Sequence, residues 1–157
     1  MSTHLNTGIA EALSRHGDNR NAKAWADVLA TVPMFHDLSQ RHLRKVAEQA
    51  TVKRFAPAAA IVRAGDAGDA FYVILDGVAN VRRSGKRTIK LKPGDFFGEL
   101  ALLDAAPRVA TVEAETEVLT MRLGRAGFQR VLEKEPKVAV SKLKTLAARM
   151  RASEGDS

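Results

Sequence analysis

The sequence has no cysteine, few aromatic residues and no long apolar segment, and each absence excludes a class of protein or site. Without cysteine the chain can form neither a disulfide framework nor a thiolate metal site, which agrees with a reducing cytoplasm. Residues 1–17 are polar and no later stretch has the length of a membrane span, so we expect a soluble cytoplasmic protein without a membrane partner. One tryptophan and one tyrosine leave little for base stacking, so the composition does not favour a nucleic-acid partner.

The remaining composition indicates one folded domain with a basic surface. Hydrophobic residues make up 45% of the 157 residues, which is enough for one core but not for two domains. A formal net charge of +7 favours anionic partners such as nucleotides, nucleic acids or acidic proteins, but a solubilising surface is favoured over a dedicated nucleic-acid face. All four histidines precede residue 51, so the predicted strands hold no histidine cluster for a metal.

Two short amphipathic helices are predicted within residues 21–50, as a helical bundle behind a mobile N-terminal segment at 1–20. The first helix begins after Asn21, follows an apolar stripe of helical period and ends before Pro33. The second begins after Ser39, a typical N-cap residue, and repeats the stripe.

From Thr51 the apolar pattern changes towards a period of two, which is typical of strands. Glycine, proline and aspartate turns separate the strands. Seven short strands are predicted, at 51–55, 61–63, 71–76, 78–83, 87–91, 109–114 and 117–123. Their regular spacing predicts a mainly β fold, a sandwich or jelly-roll barrel over 51–123. Two helices are predicted over 124–152, the first ending at Pro136 and the second strongly basic, before a tail at 153–157.

The segment 97–112, with the sequence FGELALLDAAPRVATV, combines a glycine, a short helical turn, a carboxylate and an arginine. Gly98 permits close backbone approach, and Pro107 fixes the chain just before Arg108. Amides at a helix start attract phosphate, and an arginine fork binds the same oxygens. Glu99 would repel phosphate, so its partner should be a neutral donor such as a ribose hydroxyl. Each residue alone has an ordinary structural explanation, but together they predict a phosphorylated sugar ligand.

This segment closely resembles the phosphate-binding cassette of cyclic nucleotide-binding domains, as in protein kinase A regulatory subunits, cyclic nucleotide-gated channels and bacterial catabolite activator proteins. The resemblance covers roughly residues 29–150, including the run AGDAGDAFYVILDGVANV. It implies a β jelly-roll (double-stranded β-helix) barrel with N-terminal helices, a short cassette helix and two C-terminal helices. It also implies that Glu99 takes the ribose 2′-hydroxyl and that Arg108 takes the cyclic phosphate. The ligand-binding residues it implies are Gly98, Glu99, Leu100, Ala101, Arg108, Val109 and Ala110.

The resemblance also indicates which nucleotide is bound and how the response begins. Guanine-selective members often carry Thr or Ser after the arginine, and this chain has Val109, so cAMP is favoured over cGMP, with no cofactor or metal. In the family the last helix folds over the base, and Leu143, Leu146 and Arg149 are the candidate lid residues here. We therefore expect a stand-alone cAMP sensor, not an enzyme, whose C-terminal helices move on binding and signal to an unknown effector protein.

Several alternatives to this interpretation stay open. A transcription-linked regulator could act through the basic C-terminal helix, but too few residues follow Arg151 for the DNA-binding domain of the catabolite-activator branch. A degenerate barrel that binds another ligand or none is opposed by the intact Glu99 and Arg108. An enzyme would need a nucleophile with its base or a metal cluster, and the sequence shows neither pattern. The last helix is also a candidate interface for a homodimer.

Overall fold

The computed structural model describes residues 22–103, 105–136 and 140. Its helices are α1 (Ala22–Leu29), α2 (Gln40–Ala47), α3 (Arg125–Lys134) and a 3-10 helix over Glu99–Leu102, named here the cassette helix. Its strands are β1 (Ala50–Phe55), β2 (Ala60–Val62), β3 (Ala70–Asp76), β4 (Ala79–Arg82), β5 (Ile89–Leu91), β6 (Phe96–Phe97), β7 (Thr111–Ala114) and β8 (Val118–Gly124). The segments predicted at 1–20 and 153–157, and the final helix with Leu143, Leu146 and Arg149, lie outside the described residues. None of the described helices has the length and apolarity needed to span a membrane.

The strands form two four-stranded sheets of jelly-roll type, so the mainly β prediction is confirmed. One sheet has the order β1-β8-β3-β6 and the other β2-β7-β4-β5, with antiparallel pairing throughout. Most neighbours in a sheet are distant in sequence, as jelly-roll connections require. Over the residues described, the ladders stay in two separate sheets and do not close into a barrel.

Strand β3 connects two hydrophobic cores because it is buried on both faces. Every side chain from Ala70 to Leu75 is buried. Successive side chains of a strand point to opposite faces. The odd-numbered residues of β3 therefore join the core formed with the helices, and the even-numbered ones join the core between the sheets. Burial on both faces explains why this strand is a continuous apolar run without polar alternation.

The helices pack on the β1-β8-β3-β6 sheet around an aromatic centre. Phe35, in the turn after α1, makes edge-to-face contacts with Phe71 at 6.1 Å and with Phe128 of α3 at 5.7 Å, measured between ring centroids. Trp25 of α1 is fully buried in the same core, and so is Leu102 of the cassette helix. The cassette helix and α3 thus share one packed core with the N-terminal helices.

Two local predictions about the helices have different outcomes. Helix α2 begins after Ser39 as predicted, and the Ser39 hydroxyl accepts the amide of His42 at 3.3 Å, as an N-cap does. Helix α1 was predicted to continue to Pro33 but ends at Leu29. Its last turn tightens, since the amides of Thr31 and Val32 bond to carbonyls only three residues back.

The strand prediction missed β6 and placed the first residues of β5 and β7 too early in the chain. Strand β6 has only two residues, too few for any periodicity, and pairs Phe97 with Tyr72 of β3. Strand β7 begins at Thr111 instead of 109, and β5 begins at Ile89 instead of 87. The short β6 matters for the site, because it ends immediately before Gly98.

Candidate functional site

A cavity of about 580 Å³ lies beside the cassette helix, and its volume is in the range of small-ligand sites. Six of the seven predicted binding residues line it, namely Gly98, Glu99, Leu100, Ala101, Arg108 and Val109. The seventh, Ala110, follows them in the chain and is buried. Six further residues line it that are not among these seven: Gly68, Phe96, Phe97, Leu103, Ala106 and Pro107.

Gly98 begins the cassette helix in a conformation that favours glycine. Its φ of 82° lies in the left-handed region, which strains residues that carry a Cβ atom. A Cβ added at this position would lie 2.5 Å from Nη1 of Arg108 and 3.0 Å from the carbonyl oxygen of Ala70. The glycine therefore allows both the turn and the close approach of the guanidinium.

Glu99 occupies the first position of the cassette helix and is 8% exposed. Glutamate is rarely buried to this extent in a soluble protein. Glu99 also lines the cavity, on the same helix start as Gly98. The structure thus brings a carboxylate and the start of a short helix to one wall of the cavity.

Arg108 is held against the loop that precedes β3 by backbone and side-chain bonds. Its Nη2 donates to the Ala70 carbonyl at 2.6 Å and lies 3.9 Å from a carboxylate oxygen of Asp69. Its amide donates to the Asp66 carbonyl at 2.7 Å, and its carbonyl accepts the Gly65 amide at 2.9 Å. Three hydrogen bonds therefore fix the arginine, and its side chain is only 9% exposed.

The charge of Arg108 is only partly compensated by its neighbours. Burial lowers the pKa of its guanidinium, Tyr72 and Asp69 raise this pKa, and Arg122 lowers it. An arginine with a lowered pKa still carries its full charge at neutral pH. Asp69 is 66% exposed and its carboxylate is 3.9 Å away, so this ion pair is weak. A buried positive charge with weak compensation favours an anion in the cavity.

The other cassette residues contribute backbone groups and an apolar rim. The amide of Ala101 donates to the Gly98 carbonyl at 2.9 Å, as the 3-10 helix requires. The side chains of Leu100 and Val109 line the cavity and remain 46% and 79% exposed. Exposed apolar side chains beside an anion-attracting wall suit a ligand with one charged end and one flat apolar end.

Asp69 has a role that the sequence interpretation missed. The sequence predicts only that aspartates such as Asp69 form turns between strands, but the carboxylate of Asp69 lies between two arginines. One is Arg108, and the other is Arg122, whose Nη2 is 3.5 Å away. Both partners come from strands and loops much later in the chain, so no local signal could have shown the contact.

The family can be decided by comparison with known proteins. Residues 52–135, more than half of the chain, match the family model described as the cyclic nucleotide-binding domain. The chain belongs to this family. The matched residues run from β1 to the end of α3, so they contain the whole cassette of this cyclic nucleotide-binding domain.

Relatives and solved structures agree with this family. The cAMP-dependent protein kinase regulatory subunit of Yarrowia lipolytica is 39% identical over 118 residues, which are 74% of this chain and 32% of that protein. The chain thus spans about a third of that relative. The N-terminal domain of a transcriptional regulator from Streptomyces coelicolor has a TM-score of 0.75 at 30% identity, covering 83% of this chain and 94% of that one. The regulatory domain of Toxoplasma gondii PKA, solved with cAMP, has a TM-score of 0.65 at 30% identity, covering 83% and 51%.

Proposed function

We propose that this domain binds a cyclic nucleotide, cAMP in preference to cGMP, and acts as a regulator that is not an enzyme. One observation carries the proposal: Arg108 with its buried side chain, Gly98 at the helix start and the buried Glu99 line the same cavity. The co-crystal of the similar Toxoplasma gondii regulatory domain with cAMP supports this choice of ligand.

The proposed roles follow from charge and donor chemistry. The Arg108 fork binds the oxygens of the cyclic phosphate, and the Glu99 carboxylate accepts the ribose 2′-hydroxyl. The backbone amides of Leu100, Ala101, Val109 and Ala110 complete the cradle. The Ala101 amide now donates to Gly98, so a phosphate at this amide must share that bond or open the first turn of the cassette helix.

The preference for cAMP is argued from Val109. Its side chain is 79% exposed at the cavity and carries no hydroxyl group. A hydroxyl at this position could accept the amino group of guanine, whereas an isopropyl group cannot. A purine that lacks this amino group leaves no donor unsatisfied there, so adenine is the better fit.

The proposed response is a shift of the helices that follow β8. A ligand moves an equilibrium only as far as it binds one state more tightly, so the cassette must differ between the two states. Leu102 of the cassette helix and Phe128 of α3 lie in one core, which supports transmission between them. Leu143, Leu146 and Arg149 are proposed as the lid over the base, and an unidentified effector protein as the receiver. A homodimer through the last helix remains a proposal.

Calorimetric titration with cAMP, cGMP and AMP tests the ligand assignment. We expect tight binding of cAMP, weaker binding of cGMP and little binding of AMP, which lacks the cyclic phosphate. If thermal melting shows that the protein is folded but it binds none of the three nucleotides, the proposal is refuted. Tighter binding of cGMP than of cAMP would refute the role given to Val109.

A second candidate is transcription-linked regulation. The similarity to the N-terminal domain of the Streptomyces coelicolor transcriptional regulator favours it, because that likeness covers 94% of that domain. Duplex DNA binding that persists at physiological salt and depends on cAMP would support this candidate. Binding that salt abolishes would reflect only the net charge of the chain.

A further inference from the structure

Arg125 is the first residue of α3, and it contacts the cavity wall without lining the cavity. Its Nη1 donates hydrogen bonds to two backbone carbonyls, those of Gly68 and Ala101, the second at 3.2 Å. Its own amide donates to the carbonyl of Asp69 at 2.8 Å. One residue therefore connects α3 to the loop before β3 and to the cassette helix.

The two carbonyls belong to the segments that form the anion-attracting wall. Gly68 lines the cavity, and a Cβ added there would lie 3.6 Å from Nε of Arg108. Ala101 lies within the cassette helix, whose first turn begins at Gly98. Gly98 to Ala101 of the cassette segment thus line the cavity, and the Arg125 guanidinium bonds to the carbonyl of Ala101 in the same segment.

A guanidinium suits this position for physical reasons. Arginine side chains bond well to the last carbonyls of a helix, where partial negative charge accumulates. The planar fork presents several donors at fixed angles, so one Nη group can reach two carbonyls at once. The Ala101 amide donates to the Gly98 carbonyl at 2.9 Å, so a displacement at Gly98 moves Ala101, and with it the bond to Arg125, unless this turn opens.

We propose that Arg125 is the positioning residue that couples the cavity to α3. It sets the place of the cassette helix in the free protein and transmits ligand-induced movement of that helix to α3. The second part rests on the proposed binding of cAMP, and the first part does not depend on any ligand.

Three variants separate this role from general stabilisation. Arg125→Met keeps the unbranched apolar stem but removes every hydrogen-bond donor of the side chain. Arg125→Lys keeps the positive charge and one strong donor group, the ammonium, but loses the planar fork of the guanidinium. Arg130→Met is the matched control, since Arg130 lies on the same helix and its Nη2 bonds only to the Gln49 side chain among the contacts of the described residues.

Amide hydrogen exchange, measured by NMR on the ligand-free protein, tests whether Arg125 sets the place of the cassette helix. Loss of a hydrogen bond to a charged group lowers the local opening free energy, so exchange at Ala101 and Leu103 should rise about tenfold to a hundredfold in Arg125→Met. Arg125→Lys should give an intermediate rise, and Arg130→Met should match the wild type. Exchange at Ala101 that is unchanged in Arg125→Met would overturn the proposal, as would an equal rise in Arg130→Met.

The same measurement with saturating cAMP tests the transmission. In the wild type, cAMP should change amide exchange in α3 by about fivefold or more, the lower end of ordinary allosteric coupling. In Arg125→Met, cAMP should still bind but leave exchange in α3 unchanged. An α3 response as large as in the wild type would overturn the transmission role. If the wild type binds no cAMP, the proposed function fails, while the ligand-free experiment still decides the role of Arg125.

Discussion

Substitution of Gly98 by alanine separates backbone strain from displacement of the binding group. Gly98 has a φ of 82° and Gly85, in the turn between β4 and β5, has a φ of 71°. A Cβ in this left-handed region costs about 1–2 kcal/mol at either position. At Gly85 the added methyl would meet nothing within 4 Å, so Gly85→Ala is a control with strain alone.

At Gly98 the methyl group also displaces the guanidinium. It would lie 2.5 Å from Nη1 of Arg108, so the guanidinium must move by about 1 Å to reach an ordinary contact of about 3.5 Å. The methyl would also lie 3.0 Å from the backbone oxygen of Ala70, which accepts the bond from Nη2 of Arg108, so Gly98→Ala should lose more stability than the backbone strain alone. A phosphate hydrogen bond lengthened by about 1 Å is lost, because it exceeds about 3.5 Å.

Gly98→Ala should therefore bind cAMP about ten- to a hundredfold more weakly than Gly85→Ala, equivalent to about 1.5–3 kcal/mol for a charged hydrogen bond. In thermal melts without ligand, Gly98→Ala should lose more stability than Gly85→Ala, because only Gly98 has neighbours that the added methyl would meet. Calorimetry gives the two Kd values, and melts with added cAMP check them through the stabilisation of the bound state. If Gly98→Ala binds cAMP as tightly as Gly85→Ala, the Arg108 guanidinium is not the phosphate-binding group.

Three further predictions address the ribose, the core and the sheet surface. Glu99→Ala should weaken the binding of cAMP by about ten- to a hundredfold and change the binding of 2′-deoxy-cAMP little. Equal losses of affinity for both nucleotides would contradict the role of Glu99 at the ribose. Phe128→Ala should lower the free energy of unfolding by about 3–5 kcal/mol in urea, because Phe128 is fully buried, and a loss below about 1 kcal/mol would contradict the packing. Hydrogen bonds lower the pKa of Glu115, chiefly the one from Lys90 and secondarily the one from Asn80. The ionised carboxylate therefore stabilises the fold at pH values above its ordinary pKa, and this stabilisation is lost as the pH falls through the lowered pKa of the folded state. Lys90→Met should raise that pKa in an NMR titration, and an unchanged value would show that Lys90 is not its cause.

Local signals predicted most of the fold. Glycine turns were predicted between the strands, and Gly77 and Gly94, which lie in such turns, have φ values of 90° and 96°. The Ser39 cap and the apolar run of β3 gave the start of α2 and the central strand, since capping and burial act over a few residues. The end of α1 was missed because three-residue hydrogen bonds replaced the last helical turn.

The cassette residues could be expected to meet at one cavity because they are close together in the sequence. Gly98, Glu99 and Arg108 lie within one loop-helix-loop segment, so their convergence follows from short-range geometry. The contacts of Asp69 and Arg125 could not be predicted in the same way. They join backbone carbonyls and side chains from distant segments, and only the packing of β3, β8 and α3 brings these together.

The central claim is that Arg108 holds the phosphate of cAMP in this cavity. Its most direct test is a calorimetric titration of cAMP into the wild type, Arg108→Lys and the control Arg130→Lys. Loss of the arginine fork should weaken binding about ten- to a hundredfold in Arg108→Lys and leave Arg130→Lys equal to the wild type. Equal Kd values for Arg108→Lys and the wild type would contradict the account.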